Sequence, residues 1–155
     1  MEEALLREAI RLSVEKMLAG EGGPFGAVVV DRGRIVGRGW NRVSSTHDPT
    51  AHAEIVAIRD ACRRLATVSL AGCAMYSSCE PCPMCLGALY WARIERLYYA
   101  ATRQDAAAAG FDDAWFYDEI ALPPADRKLF ATQHLREEAL AAFDAWNAKE
   151  DRVTY

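Results

Sequence analysis

Two short stretches carry side chains that can do chemistry together: His52-Ala53-Glu54 and Pro81-Cys82-Pro83-Met84-Cys85. Cys82 and Cys85 are three apart, so both thiols project from the same side of one helical turn. In a first turn, free backbone N–H groups and the helix dipole favour thiolate over thiol. Two thiolates and one imidazole leave the fourth position of a tetrahedral zinc open, and an open position marks catalytic rather than structural zinc. His52 and Glu54 are two apart. At a helix end, one can bind a metal beyond the terminus while the other reaches its free coordination site. Zinc with two thiolates and a neutral histidine has a formal charge near zero and acidifies water less than a three-histidine site. A neighbouring carboxylate that takes the proton fills that gap.

Plainer readings of the same residues stand beside this one. Cys-x-x-Cys also occurs in structural zinc and thiol-redox sites, and Cys79 repeats the spacing. His52 with Cys79, Cys82 and Cys85 would then be a closed structural centre. Against it, Cys79 ends a strand ahead of Glu80-Pro81, which turns its thiol off the helix face of the other two. A redox motif has no use for His-x-Glu, and a zinc-stabilised interaction module has no use for Glu54. Cys62 and Cys73 read as small buried hydrophobes. His47 and His134 have no partner pattern, and Trp40, Trp115 and Trp146 read as packing residues. Taken alone, Asp112-Asp113 would be a solvated loop and Tyr155 a frayed end.

The elements that hold these groups follow from periodicity and turn chemistry. Apolar spacing predicts a helix over residues 2–19, ended by Gly20 to Pro24. Ala27–Val30 and Arg34–Trp40 flank a turn at Arg32-Gly33 and read as an antiparallel hairpin. A loop from Asn41 leads to Thr50, the expected N-cap of a helix over 51–65. A third strand spans 73–77, a helix with Pro83 in its first turn spans 82–91, and a fourth strand spans 96–101. So short a strand–helix–strand connection implies a parallel, right-handed crossover. An alanine-rich turn ends at Gly110, residues 110–127 read as irregular, and 128–135 as a fifth, edge strand. A helix over 136–149 closes the chain, with Leu140, Phe143 and Trp146 on one face. The expected fold class is α/β: a three-layer α/β/α sandwich around a mixed five-stranded sheet.

Composition bounds the rest. The 155 residues suffice for one domain with a core, and no apolar run approaches the roughly 20 residues of a membrane span. Net charge is −4 with arginines interleaved among acids, which argues against a polynucleotide partner. The acidic N-terminus does not read as a secretory signal, and five cysteines, an odd number, argue against a disulfide framework. The expected compartment is the cytoplasm.

The pairing of His-x-Glu with Pro-Cys-x-x-Cys resembles the zinc deaminases that act on nucleobases, a family with the same signature and the same role for the glutamate. Within it the chain is similar to small bacterial guanine deaminases of cytidine-deaminase fold. The likeness runs almost end to end, through Gly22–Ala27, Asp48–Glu54, Cys79–Ala88, Tyr90–Arg93, Ala109–Asp113 and the terminal Tyr155. The first signature marks the superfamily, and the last three motifs narrow the substrate. The resemblance implies one zinc ion per chain on His52, Cys82 and Cys85, with Glu54 shuttling protons from the attacking water to the ring nitrogen and the leaving ammonia. It implies Asn41 on the purine ring, Phe25, Ala53 and Trp91 around the pocket, and Asp113 and Tyr155 at the substrate's amino end. It also implies a homodimer with the segment 136–155 exchanged between subunits. On guanine the product would be xanthine. Deaminases of cytosine, guanosine, amino-triazines or tRNA adenosine share the signature and stay open at this point.

Overall fold

The computed structural model describes residues 2–154, and contacts divide the chain into two compact units, one ending at Tyr117 and one starting at Asp118. Tyr155 lies outside the described residues.

The first unit is built on a sheet of four strands: β1 (Gly26–Asp31), β2 (Arg34–Trp40), β3 (Ala74–Cys79) and β4 (Arg96–Ala101). Their order is β2-β1-β3-β4, with β1 antiparallel to both neighbours and β3 parallel to β4. The hairpin and the parallel pair are those the sequence leads one to expect. Alternation along β1 sends Val28 and Val30 to one face, where they pack with Tyr76 and with Leu12 of α1 (Glu2–Leu18). Ala27, Val29 and Met75 go to the other face, under α3 (Ala53–Leu65) and α4 (Pro83–Trp91). The result is helices on both faces of a mixed sheet.

The sheet has four strands, not five. Residues 128–135 are irregular, and Leu129 and Phe130 are 79% and 87% exposed. A segment becomes a strand only where a ladder partner takes its backbone groups, and 128–135 forms no ladder among the described residues.

Three helices also differ from expectation. The expected loop 41–50 contains a short helix, α2 (Val43–Thr46), and α3 is capped by His52 rather than Thr50. Asp48 explains the shift: its Oδ1 accepts from the backbone N–H and the hydroxyl of Thr50 at 2.8 and 2.6 Å, which holds Thr50 in a turn. After α5 (Arg103–Ala108), the stretch read as irregular holds α6 (Asp113–Ala121).

Close packing fixes α3 on the sheet. A Cβ on Gly39 would lie 2.0 Å from the carbonyl oxygen of Ala53, so only glycine lets β2 approach the first turn of α3 this closely. Ala53, Ala57 and Ala61, all fully buried, line the same helix face. The first turn of α3 is thereby pinned, and His52 and Glu54 with it.

In the second unit, α6 ends with Arg127 donating to the Leu122 and Ile120 carbonyls at 2.9 and 3.0 Å. A 3-10 turn (Pro124–Asp126) and α7 (Arg136–Ala148) follow. No helix among the described residues is long and apolar enough to cross a membrane.

Candidate active site

Strand direction gathers the chemistry at one end of the sheet. β1 begins where β2, β3 and β4 end, because it is antiparallel to β2 and β3 and β4 runs with β3. Phe25 immediately precedes β1, Asn41 immediately follows β2, and Cys79-Glu80-Pro81 leads out of β3. Helices α3 and α4 start at this same end, capped by His52 and Cys82. Both N-termini bring unpaired N–H groups and positive dipole ends to the two cap side chains.

His52, Cys82 and Cys85 place their ligand atoms within 4.8 Å of one another, and Cys82 Sγ lies 3.5 Å from His52 Nδ1. Two donors at ordinary zinc–sulfur and zinc–nitrogen bond lengths and tetrahedral angles sit about 3.5–3.8 Å apart. The donor set therefore fits zinc in both identity and spacing. Cys79 does not belong to the cluster, since its Sγ donates to the Thr102 carbonyl at 3.5 Å. Among the described residues no fourth protein ligand joins the three. The Cys82 thiol is lowered to about 4 by the hydrogen bond from Cys85 and by His52 beside it, against its burial. The same hydrogen bond and burial push Cys85 up, and Cys82 raises His52. A divalent cation binding these donors takes both sulfurs as thiolates.

Glu54 occupies the second position of α3, 6% exposed, and accepts a hydrogen bond from Ser77 Oγ on β3 at 3.0 Å. Burial raises its carboxyl above the usual range. A carboxyl held this way can both take and return a proton.

A cavity beside these groups is lined by Phe25, Asn41, His52, Glu54, Glu80, Cys82, Phe111 and Asp113. The rings of Phe25 and Phe111 meet edge to face with centroids 4.8 Å apart and form an apolar wall. Asn41 Oδ1 accepts from the backbone N–H groups of Gly23 and Val43, each at 3.2 Å. Two N–H donors require an oxygen at that atom, so the amide group Asn41 can offer a ligand is the donor Nδ2. Gly22 makes room for this loop, because a Cβ there would lie 2.1 Å from the Asn41 carbonyl oxygen. Asp113 opens α6 half-buried, its carboxyl raised by burial and by the Cys82 sulfur.

The structure thus brings together seven of the residues singled out in the sequence: Phe25, Asn41, His52, Glu54, Cys82, Cys85 and Asp113. It does not bring in Trp91, which ends α4 at 66% exposure and does not line the cavity. The methyl group of Ala53 belongs to the core. Glu80 and Phe111 line the cavity without having been singled out, although each lies inside a motif that carried the resemblance.

The family model of the cytidine and deoxycytidylate deaminase zinc-binding region matches residues 1–101. A guanine deaminase from Bacillus subtilis is 48% identical over 99% of this chain and 98% of its own. The X-ray structure of guanine deaminase from Bacillus subtilis superposes with a TM-score of 0.95 at 48% identity, covering 99% of this chain and 98% of that one. A structure of guanine deaminase from Nitrosomonas europaea matches with a TM-score of 0.68 at 37% identity, covering 72% and 64% of the two chains. A tRNA-specific adenosine deaminase from Aquifex aeolicus is 44% identical over 64% of this chain and 65% of its own.

Proposed function

The chain belongs to the zinc-dependent cytidine and deoxycytidylate deaminase family, and from that premise we propose that it hydrolyses guanine to xanthine and ammonia. The observation that carries the substrate assignment is the reach of the likeness. Identity to the Bacillus subtilis guanine deaminase extends through 99% of the chain, well past the zinc-binding region that ends at residue 101. Phe111 and Asp113, two of the cavity's walls, lie in that further stretch.

His52, Cys82 and Cys85 would hold the zinc ion, which when bound supplies Lewis-acid activation of water. Glu54 then takes a proton from the attacking water as its oxygen bonds to the carbon bearing the amino group. It gives that proton to the ring nitrogen beside that carbon, then takes the remaining proton from the newly attached hydroxyl and hands it to the departing amine, so that ammonia leaves and the carbonyl forms. Ser77 holds the Glu54 carboxylate in place through its hydrogen bond. Asn41 donates from Nδ2 to an acceptor on the ring, and Phe25 and Phe111 exclude water from its face. Asp113 accepts from the amino group and the adjacent ring N–H, a pairing that adenine and cytosine do not present in the same way.

The reading includes a cytoplasmic, homodimeric enzyme whose segment 136–155 is exchanged between subunits. Five unpaired cysteines support a reducing compartment. Two features support the exchange: Phe143 and Trp146 of α7 are 65% and 39% exposed, and β4 is an edge strand. Tyr155 would then close the partner's site. Mixing two inactive variants, Glu54→Gln with an intact tail and a chain lacking Tyr155, would restore activity after joint unfolding and reassembly. A mixture that stays inactive although mixed dimers form rules the exchange out.

Ammonia release from guanine, guanosine, adenine, cytosine, an amino-triazine and a tRNA anticodon loop tests the substrate assignment. Guanine is expected to lead by orders of magnitude. Preferred turnover of adenosine in tRNA, with steep salt dependence, would instead place the chain with the tRNA deaminases.

A further inference from the structure

The end of β3 runs into the metal-ligand position Cys82 through Cys79-Glu80-Pro81, and several groups hold this segment. The Glu80 N–H donates to the Ala101 carbonyl at 2.8 Å, and Cys79 Sγ donates to the Thr102 carbonyl at 3.5 Å. The Glu80 carboxylate accepts from the Arg103 N–H at 3.0 Å, and its other oxygen lies 3.9 Å from the Arg103 guanidinium. That guanidinium sits over the ring of Tyr117, 4.4 Å from the centroid. Tyr117 in turn donates its hydroxyl to the carbonyl of Pro81 at 2.8 Å. Pro81 is buried, and this O–H supplies its carbonyl with a partner.

Tyr117 lies four residues after Asp113 on α6, and side chains so spaced share one helix face. The Tyr117 hydroxyl therefore ties the helix that begins with Asp113 to the segment that leads to Cys82, beside the Arg103 contact of its ring. The backbone bond from the Phe116 N–H to the Asp112 carbonyl at 3.0 Å is internal to the turn and sets no position relative to the metal cluster.

We propose that Tyr117 is a positioning residue that sets Asp113 against the substrate, with Arg103 holding its ring and Glu80 anchoring Arg103. This rests on the reading of Asp113 as a substrate contact. It gives Glu80 a task distinct from that of Glu54: its charge is matched by Arg103, so it braces rather than reacts. Substrate selectivity and the zinc-ligand segment are then mechanically one unit, joined through Tyr117.

Tyr117→Phe tests this, since it removes one O–H and keeps the ring under Arg103. The variant is expected to retain one zinc per chain and to lose about tenfold in kcat/KM on guanine, mostly through KM. In an Asp113→Asn background the same substitution should cost less than about twofold, because its effect runs through the carboxylate already removed. Amide exchange gives a readout that needs no substrate: the N–H groups at positions 116 and 117 should exchange about tenfold faster in the variant. Equal losses in both backgrounds, or unchanged exchange at those amides, would overturn the proposal. If the wild-type chain does not turn over guanine at all, the substrate assignment fails, while the exchange comparison still decides whether Tyr117 holds the start of α6.

Discussion

Ser77 and Glu54 meet across the seam between sheet and helix, the hydroxyl of the one donating to Oε1 of the other at 3.0 Å. Both are buried, at 2% and 6% exposure, so neither trades this bond for one with bulk water. The carboxylate is thereby fixed in direction while staying free to change its protonation state.

Glu54→Gln should keep the fold and the zinc and lose activity by about a hundredfold to ten-thousandfold, the usual worth of a positioned proton carrier. The amide is nearly isosteric but cannot accept and return a proton at neutral pH. Ser77→Ala should be milder, about tenfold in kcat, because the carboxylate remains but loses its brace. Ammonia release with zinc content measured alongside checks both. Near-normal turnover by Glu54→Gln removes it from the mechanism.

Metal retention separates an open site from a closed one. His52→Ala, Cys82→Ala and Cys85→Ala should each lose the ion, whereas Cys79→Ser should keep it together with activity. The reason is the contact from Cys79 Sγ to the Thr102 carbonyl, which a hydroxyl can replace. Elemental analysis of the purified variants decides it, and loss of zinc from Cys79→Ser would count for a four-ligand centre.

How much of this could be read from residues alone depended on where structure is local. The hairpin and α4 are specified by their own turn and cap residues, so β1, β2 and the Cys82/Cys85 pair emerged nearly in place. The start of α3 did not, because Thr50 is a good cap by type but is engaged by Asp48, and the cap falls to His52. Helix α6 was hidden between Gly110, with φ of +92°, and Pro123-Pro124, although acidic Asp112-Asp113 ahead of an unbroken run to Ala121 is a helix-start signal. The fifth strand failed for a non-local reason: Phe130 and Thr132 are strand formers by type, but pairing is decided by what lies alongside. Tyr117 carried no motif, and its contact with Pro81 spans 36 positions in sequence.

Stability should depend on acid through Glu8. Arg11 grips both its oxygens at 2.8 and 2.9 Å, and Arg38 on β2 adds a third bond at 3.2 Å. These hold its carboxyl near 2, below its ordinary 4.5, against a smaller opposing effect of burial. A depressed folded-state value means the contribution is complete above about pH 4.5 and disappears as pH falls toward 2. Glu8→Gln should therefore cost about 1 kcal/mol at pH 7, a modest figure because the guanidinium groups face solvent. Denaturant melts of both proteins at pH 7 and near pH 2.5 should show the difference shrinking with acid. A difference of the same size at both pH values would contradict the assignment.

Asn41 offers the sharpest separation of structure from recognition, because its amide has two ends with two duties. Oδ1 is committed to the backbone N–H groups of Gly23 and Val43, which shapes the loop leading to Phe25 and the turn into α2. Nδ2 is the end left for a ligand in the cavity. Asn41→Asp preserves the first duty, since a carboxylate accepts from both N–H groups at least as well, and inverts the second by putting an acceptor where a donor stood. The variant should melt within a few degrees of wild type and bind zinc, yet its KM for guanine should rise at least about tenfold, because acceptor now faces acceptor. Asn41→Ala removes both ends and should lose stability as well, by about 1 kcal/mol, since two half-buried N–H groups are left without this partner. Comparing the two variants by melting and by steady-state kinetics isolates the donor. Wild-type KM in Asn41→Asp would mean that Nδ2 does not touch the substrate and that the residue serves the loop alone.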